Sequence, residues 1–326
     1  MTRFIDYERG GRQKEYYQED EVVKRSCPLC NYSDYLEIYR ERGAIGIVRC
    51  QNCSLIYTNP MVKEPEKNYW GKAEQYYEEA RLIFNGTAKC HRDPSYIEDL
   101  KIIERIMPTG DFLDIGTNVG FFLRHTRGKK WNVFGIEPSP SLSDMARKHF
   151  GLNVKTSYLE EAGFEDNFFD IVTMTDVFEH VAEPKKMLLG IRRVLKKGGI
   201  LFIKVPNGNY NLLKLWLAKI AKNLQDYDIF DSYEHLTHYT QGTLKRILEE
   251  CGFKVAKTFM GRPVQLPVWH RYVGHFYEYP SPWVLDIKNH MLRILFYWIA
   301  KVEFLIRFGT IGYFAPNIIM IAAKKE

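Results

Sequence analysis

The chain has no long apolar run. Near residue 300 the longest stretch without charge is Ile294 to Ala300, ended by Lys301. A membrane-spanning helix needs about 18 apolar residues or more. Met1 to Glu21 is charged throughout and lacks the apolar core of a secretory leader. These absences lead to the expectation of a cytoplasmic protein, with peripheral contact at the inner face of a membrane left open. Charge of one sign is also scarce. The 46 Lys and Arg against 40 Asp and Glu give a net charge of +6, which permits an anionic partner without demanding one. Six cysteines in 326 residues are too few for a disulfide scaffold, and cytoplasmic cysteines are seldom paired. With 45% hydrophobic and 26% charged residues, collagen-like and disordered chains are excluded. The length accommodates two domains, or one large domain with an appendage.

What is present begins with the spacing of those cysteines. Cys27-Pro-Leu-Cys30 is followed, after 19 intervening residues, by Cys50-Gln-Asn-Cys53. Each short Cys-x-x-Cys turn presents two sulfurs to one side, and two such knuckles complete a closed tetrahedron around structural zinc. Two redox pairs, or idle thiols, are the alternatives. Cys90 and Cys251 stand alone and receive no role. The pattern divides the chain into a polar arm (1–20), a zinc ribbon (21–60) and a larger domain (61–326). Nine basic and nine acidic residues fall within residues 1–50. A ribbon built to grip nucleic acid would be basic, so this one is expected to pack on the rest of the chain.

Residues 61–107 read as helices, with Ile97, Leu100, Ile103 and Ile106 at helical spacing. Beyond residue 111 strands and helices alternate. Strands are predicted at Phe112–Ile115, Asn132–Ile136, Asn153–Lys155, Phe169–Met174, Ile200–Val205, Phe253–Phe259 and Ile318–Ala323. Helices are predicted from Phe121 to Thr126, Ser141 to Phe150, Lys186 to Leu195 and Thr243 to Cys251. This rhythm argues for an α/β fold with a parallel, doubly wound sheet. Two long stretches interrupt it, 207–234 and 261–312; inserts of that length carry structure or function of their own.

The first predicted strand ends in Asp114, and Gly116 and Gly120 follow in a loop. Glycine lets the backbone turn sharply and approach a ligand, and in doubly wound folds this crossover is the nucleotide site. A dinucleotide cradle would read G-x-G-x-x-G, and that spacing is absent. The second strand ends in Glu137, placed where a carboxylate can accept both hydroxyls of a ribose. An acidic group favouring the next helix N-terminus is the plainer alternative.

Taken with Phe169-Asp-Ile-Val-Thr-Met-Thr-Asp-Val-Phe-Glu-His-Val181, Leu195-Lys-Lys-Gly-Gly-Ile-Leu201, Val205-Pro-Asn207 and Glu234-His-Leu-Thr-His-Tyr-Thr240, these segments resemble a class I S-adenosylmethionine-dependent methyltransferase. The likeness is to the branch that includes ubiquinone-biosynthesis enzymes and bacterial enzymes with an N-terminal zinc ribbon, and it runs from Cys27 to Lys325. It implies a seven-stranded Rossmann-like sheet with S-adenosylmethionine as cofactor. Asp114, Gly116, Asn118 and Gly120 would hold the methionine and ribose, and Glu137 the ribose hydroxyls. Ser157 and Leu159 would flank the adenine, and Thr175 would line the pocket. Asn118 stands where the family commonly has glycine, and asparagine also tolerates a left-handed backbone.

Methyl transfer to oxygen usually needs a base. His180, His235 and His238 are the candidates, histidine having an unperturbed pKa near 6.5; for each, a purely structural role is the alternative. Asp176-x-x-Glu179-His180 also resembles a Mg²⁺-binding pattern of some ubiquinone O-methyltransferases, the lesser expectation here. The inserts are aromatic and basic, notably Trp283 to Phe308 with Lys288, Arg293, Lys301 and Arg307. They read as a cover over the active site or as a membrane-surface helix. The acceptor is expected to be a small or lipid-linked molecule, such as a sugar intermediate of cell-surface glycan synthesis. A quinone or polyketide O-methyltransferase, an rRNA methyltransferase and a non-catalytic interaction protein are the alternatives. The neutral ribbon argues against RNA, and the intact first motif against loss of catalysis. Oligomeric state is not readable from the sequence.

Overall fold

The computed structural model describes residues 16–86, 89–90, 92–220, 229–261, 272–273 and 315–325. Most of the predicted arm, the middle of the first insert and nearly all of the second lie outside the described residues. The Trp283–Phe308 segment with its four basic residues is among them. Among the described residues no helix is long and apolar enough to cross a membrane.

In chain order the strands of the seven- and four-stranded sheets are β1 (Tyr35–Glu41), β2 (Ile45–Cys50), β3 (Ile56–Thr58), β4 (Thr109–Ile115), β5 (Lys130–Ile136), β6 (Val154–Lys155), β7 (Phe169–Thr175), β8 (Leu195–Pro206), β9 (Thr237–His238), β10 (Phe253–Met260) and β11 (Asn317–Lys324). The helices are α1 (Pro65–Phe84), α2 (Asp93–Ile106), α3 (Pro140–Phe150), α4 (Pro184–Val194), α5 (Gly208–Ile220) and α6 (Gln241–Glu250). Sequence explains their ends. Pro65, Pro140 and Pro184 open three helices, where the missing N–H is harmless. Gly151 closes α3 in the left-handed conformation at φ 64°.

The main sheet has seven strands in the order β10-β11-β8-β7-β4-β5-β6. Residue parity sorts its side chains into two cores. Leu113, Val172, Leu201 and Met320 face α4 and α6 through Leu188, Ile191, Leu244 and Ile247. Phe112, Ile171, Phe202 and Ile319 face α2 through Leu100 and Ile103. The doubly wound architecture follows directly. Two expectations need correction. The sheet is not wholly parallel, because β11 runs antiparallel to both β8 and β10. Gly261 N donates to Asn317 O at 2.8 Å, so the connection leaves and returns at one end of the sheet, and that reverses the strand. The predicted helix after Gly120 is only a 3₁₀ turn, Leu123–Thr126. Thr126 Oγ1 donates to its own turn at Leu123 O, 2.7 Å away, and Gly128 at φ 80° redirects the chain into β5.

The ribbon is a four-stranded antiparallel sheet, β9-β3-β2-β1. Its edge strand β9 comes from beyond β8, with Thr237 opposite Tyr57 and His238 opposite Ile56. Leu29, Val48, Leu55 and Tyr57 share one buried cluster with Phe178, Tyr239 and Leu244 of the large domain. The ribbon is thus packed against the rest of the chain through a common core.

Candidate active site

The ends of β4, β5 and β7 and helix α1 surround a cavity of about 390 Å³. Leaving β4, the chain turns through Gly116 at φ 77°, Asn118 at φ 53° and Gly120 at φ 85°. A Cβ on Gly116 would lie 2.5 Å from Val177 Cγ2, so only glycine lets the two loops approach. Asn118 adopts the left-handed backbone, and its side chain accepts from Val119 N at 2.7 Å.

Asp114 is buried and accepts from Thr173 Oγ1 at 2.7 Å. Burial raises its pKa to about 7, against the lowering effect of the Thr173 and Thr117 hydroxyls. Glu137 is buried at the tip of β5. Its Oε2 accepts from Asn118 N at 2.9 Å, and its Oε1 from Ser139 N at 2.8 Å and from the Tyr69 hydroxyl. Burial raises the Glu137 pKa, and these donors moderate the shift. Ser157, Leu159 and Thr175 complete the predicted lining. Gly120 does not reach the cavity lining; its Cα packs where a Cβ would meet Leu152 Cδ1 at 2.6 Å.

Past β7 the chain forms a short 3₁₀ turn, Phe178–His180. His180 lines the cavity, and its Nδ1 lies 3.1 Å from Glu234 O. A carbonyl oxygen only accepts, so Nδ1 carries the proton and Nε2 keeps a lone pair. His235 meets the His180 ring edge-on, centroids 4.7 Å apart. His238 lies elsewhere, fully enclosed in the ribbon sheet against Phe230. Burial, then the charges of Lys214 and Arg25, lower its pKa to about 3. Glu179 is buried with neither carboxylate oxygen hydrogen-bonded among the described residues. Burial, then the charge of Asp176, push its pKa well up.

Arg92 at the start of α2 is ion-paired with Asp176 at the end of β7, and both line the cavity. Sequence reading missed Arg92, Tyr69, Thr117 and Tyr158, all lining residues. They lie outside the recognisable segments, or within them at positions that carry no spacing signal.

The four cysteines do come together. Cys27 Sγ lies 3.4 Å from Cys53 Sγ, and Cys30 Sγ 3.5 Å from Cys50 Sγ. A tetrahedral Zn²⁺ with bonds of about 2.3 Å places its sulfurs about 3.8 Å apart, so the set fits zinc. The Mg²⁺ pattern fits less well. Asp176 is occupied by Arg92, and the nearby group that converges is Glu179, His180 and His235. Two imidazoles and one carboxylate do not suit an oxygen-seeking cation.

Residues 91–258 match the family model described as a methyltransferase domain. An uncharacterized protein of Methanocaldococcus jannaschii, MJ1123, is 28% identical over 163 residues, 50% of this chain and 73% of that one. The ubiquinone biosynthesis O-methyltransferase of Coxiella burnetii is 27% identical over 155 residues, so this chain spans 65% of its length; the alignment takes in 43% of this chain. The C-methyltransferase NovU of Streptomyces niveus is 26% identical over 159 residues, 47% of this chain and 35% of that one. Since the match spans residues 91–258 of 326 and takes in β4 to β8, with the ends of β4, β5 and β7 facing the cavity, the chain belongs to the S-adenosylmethionine-dependent methyltransferases.

Proposed function

We propose that the protein methylates a small acceptor through an O–H or C–H group that a histidine deprotonates. The observation that carries this reading is the continuity of one cavity from Glu137 to His180. Glu137 would hold the ribose hydroxyls, and Asp114, Gly116 and Asn118 the turn beneath them. Ser157 and Leu159 would lie along the adenine, and Thr175 beside the methionine. Arg92 and Asp176, an adjacent cation and anion, complement the carboxylate and ammonium of the amino-acid head. With the head group there, the sulfonium methyl would face His180.

His180 Nε2 would take the proton that the acceptor O or C gives up on methylation. Bound S-adenosylmethionine would supply an electrophilic methyl group and a neutral thioether as leaving group. Alignment of donor and acceptor supplies much of the rate, and the base contributes about 10²–10⁴-fold. Among acceptors a sugar intermediate of cell-surface glycan synthesis is our first choice, free or lipid-linked. Helix α5 supports the lipid-linked form, since Trp216 is 58% and Ile220 60% exposed on it. Incubation with methyl-labelled cofactor and a panel of sugar, quinol and polyketide acceptors tests the reading. His180→Gln should slow transfer by about 10²–10⁴-fold while binding the cofactor normally; undiminished transfer by that variant would overturn the assignment.

A further inference from the structure

The zinc ribbon does more than pack against the domain. Glu41, at the end of β1, is 3% exposed. Its Oε1 accepts from Phe230 N at 2.7 Å, and its Oε2 from Ser232 N at 3.0 Å and Ser232 Oγ at 2.6 Å. Only a carboxylate offers two acceptor oxygens to two amides so close together in the chain. The amides it gathers begin the turn in which Glu234 N and His235 N both donate to Asp231 O, at 3.0 and 2.9 Å.

Further along, the carbonyls of this segment are claimed one after another. Asn68 Nδ2 takes Tyr233 O at 2.7 Å, and Thr58 Oγ1 takes His235 O at 2.8 Å. Thr58 N and Arg25 Nη2 take Leu236 O, at 3.0 and 2.6 Å. Glu234 O is the carbonyl presented to His180 Nδ1. Three of these donors come from the ribbon's strands or its flank, and the turn they fix carries the carbonyl that faces His180 Nδ1.

We propose that Glu41 is a positioning residue of the active site: by holding the 230–232 backbone it seats the Glu234 carbonyl against His180 Nδ1 and so keeps the ring proton on Nδ1. The inference rests on the reading of His180 as the residue facing the acceptor, and it extends that reading by giving the ribbon a part in catalysis. Without the carbonyl, a neutral imidazole exchanges between its two tautomers, and the form with Nε2 protonated cannot act as a base.

The test is long-range ¹H–¹⁵N NMR of the full-length, zinc-loaded protein with labelled histidine, at a pH that keeps the ring neutral. His180 is assigned by its disappearance in His180→Gln. The wild-type ring should show the Nδ1-protonated pattern. Glu41→Ala should convert it to a mixture of tautomers, and Glu41→Gln, which keeps one acceptor oxygen, should fall between. Zinc content and cofactor affinity should match wild type in both. A wild-type ring protonated at Nε2, or an unchanged pattern in Glu41→Ala, would overturn the proposal. If Glu41→Ala does not fold, Glu41→Gln and Ser232→Ala decide by the same readout, and an unchanged ring in both is a refutation. Loss of cofactor binding in the wild type would instead count against the proposed reaction, which keeps the two failures apart.

Discussion

Replacing Tyr69 by Phe should tighten cofactor binding, whereas replacing Glu137 by Ala should weaken it. A carboxylate has about four lone-pair sites. Three of those on Glu137 are occupied: Asn118 N on Oε2, and Ser139 N and the Tyr69 hydroxyl on Oε1. A ribose brings two hydroxyls. One fits the open site on Oε2, and the other must displace Tyr69. A hydrogen bond to a charged group is worth about 1.5–3 kcal/mol, and an ordinary one about 0.5–1.5 kcal/mol. The displaced hydroxyl finds water or ligand, so the smaller range measures the net cost of moving it. Tyr69→Phe removes that cost and should improve affinity by roughly 2- to 10-fold. Glu137→Ala loses the charged acceptor and should weaken binding by about 10- to 150-fold. Titration calorimetry with S-adenosylmethionine and its demethylated product gives both numbers. A tenfold loss in Tyr69→Phe would show that Tyr69 grips the cofactor instead of guarding Glu137. Equal binding by Glu137→Ala would remove Glu137 from the site.

Elemental analysis should find about one zinc per chain, and Cys27→Ser should lose it with a lower melting temperature, because binding to a structural site is coupled to folding. His238 should make the fold acid-sensitive: its folded pKa of about 3 lies below the unfolded value near 6.5, so the unfolded state binds more protons between these values. Stability is therefore full above about pH 6.5 and falls by about 2 kcal/mol at about pH 5; denaturant titrations of His238→Asn should show a flatter acid limb. Lys204 and Asp99 form a buried ion pair at 2.7 Å. Lys204→Met alone should cost about 3–5 kcal/mol by stranding the carboxylate, and the Lys204→Met, Asp99→Leu pair should recover most of it.

Much of this arrangement is legible in the sequence because it depends on local chemistry. Gly116 and Asn118 mark a left-handed turn, Glu137 ends a strand of period two, and the cysteine spacing announces its own cluster. The cofactor half of the cavity is of this kind. The remainder depends on approaches between distant segments. Arg92 finds Asp176, and Tyr69 finds Glu137, only once α1 and α2 dock, and neither residue stands in a pattern that foretells its partner. His180, His235 and His238 look alike in the sequence. Packing alone separates them, leaving His180 in the cavity, His235 against it and His238 sealed in the ribbon. The reversal of β11 was hidden for a similar reason, since apolar alternation marks a strand but carries no direction.

That reversed strand has a consequence for how the protein can vary. Residues 253–260 and 317–324 are hydrogen-bonded neighbours, and Gly261 N reaches Asn317 O at 2.8 Å, so the long segment between them begins and ends at a single point on the sheet's rim. A segment clamped at its base is a cartridge: doubling its length adds only about 0.6 kcal/mol of closure entropy, and nothing in the strand register need shift to accommodate another. Strand β11 is therefore also the lock that closes the segment, and descendants of this chain could exchange what lies between Gly261 and Asn317 while inheriting the sheet unchanged.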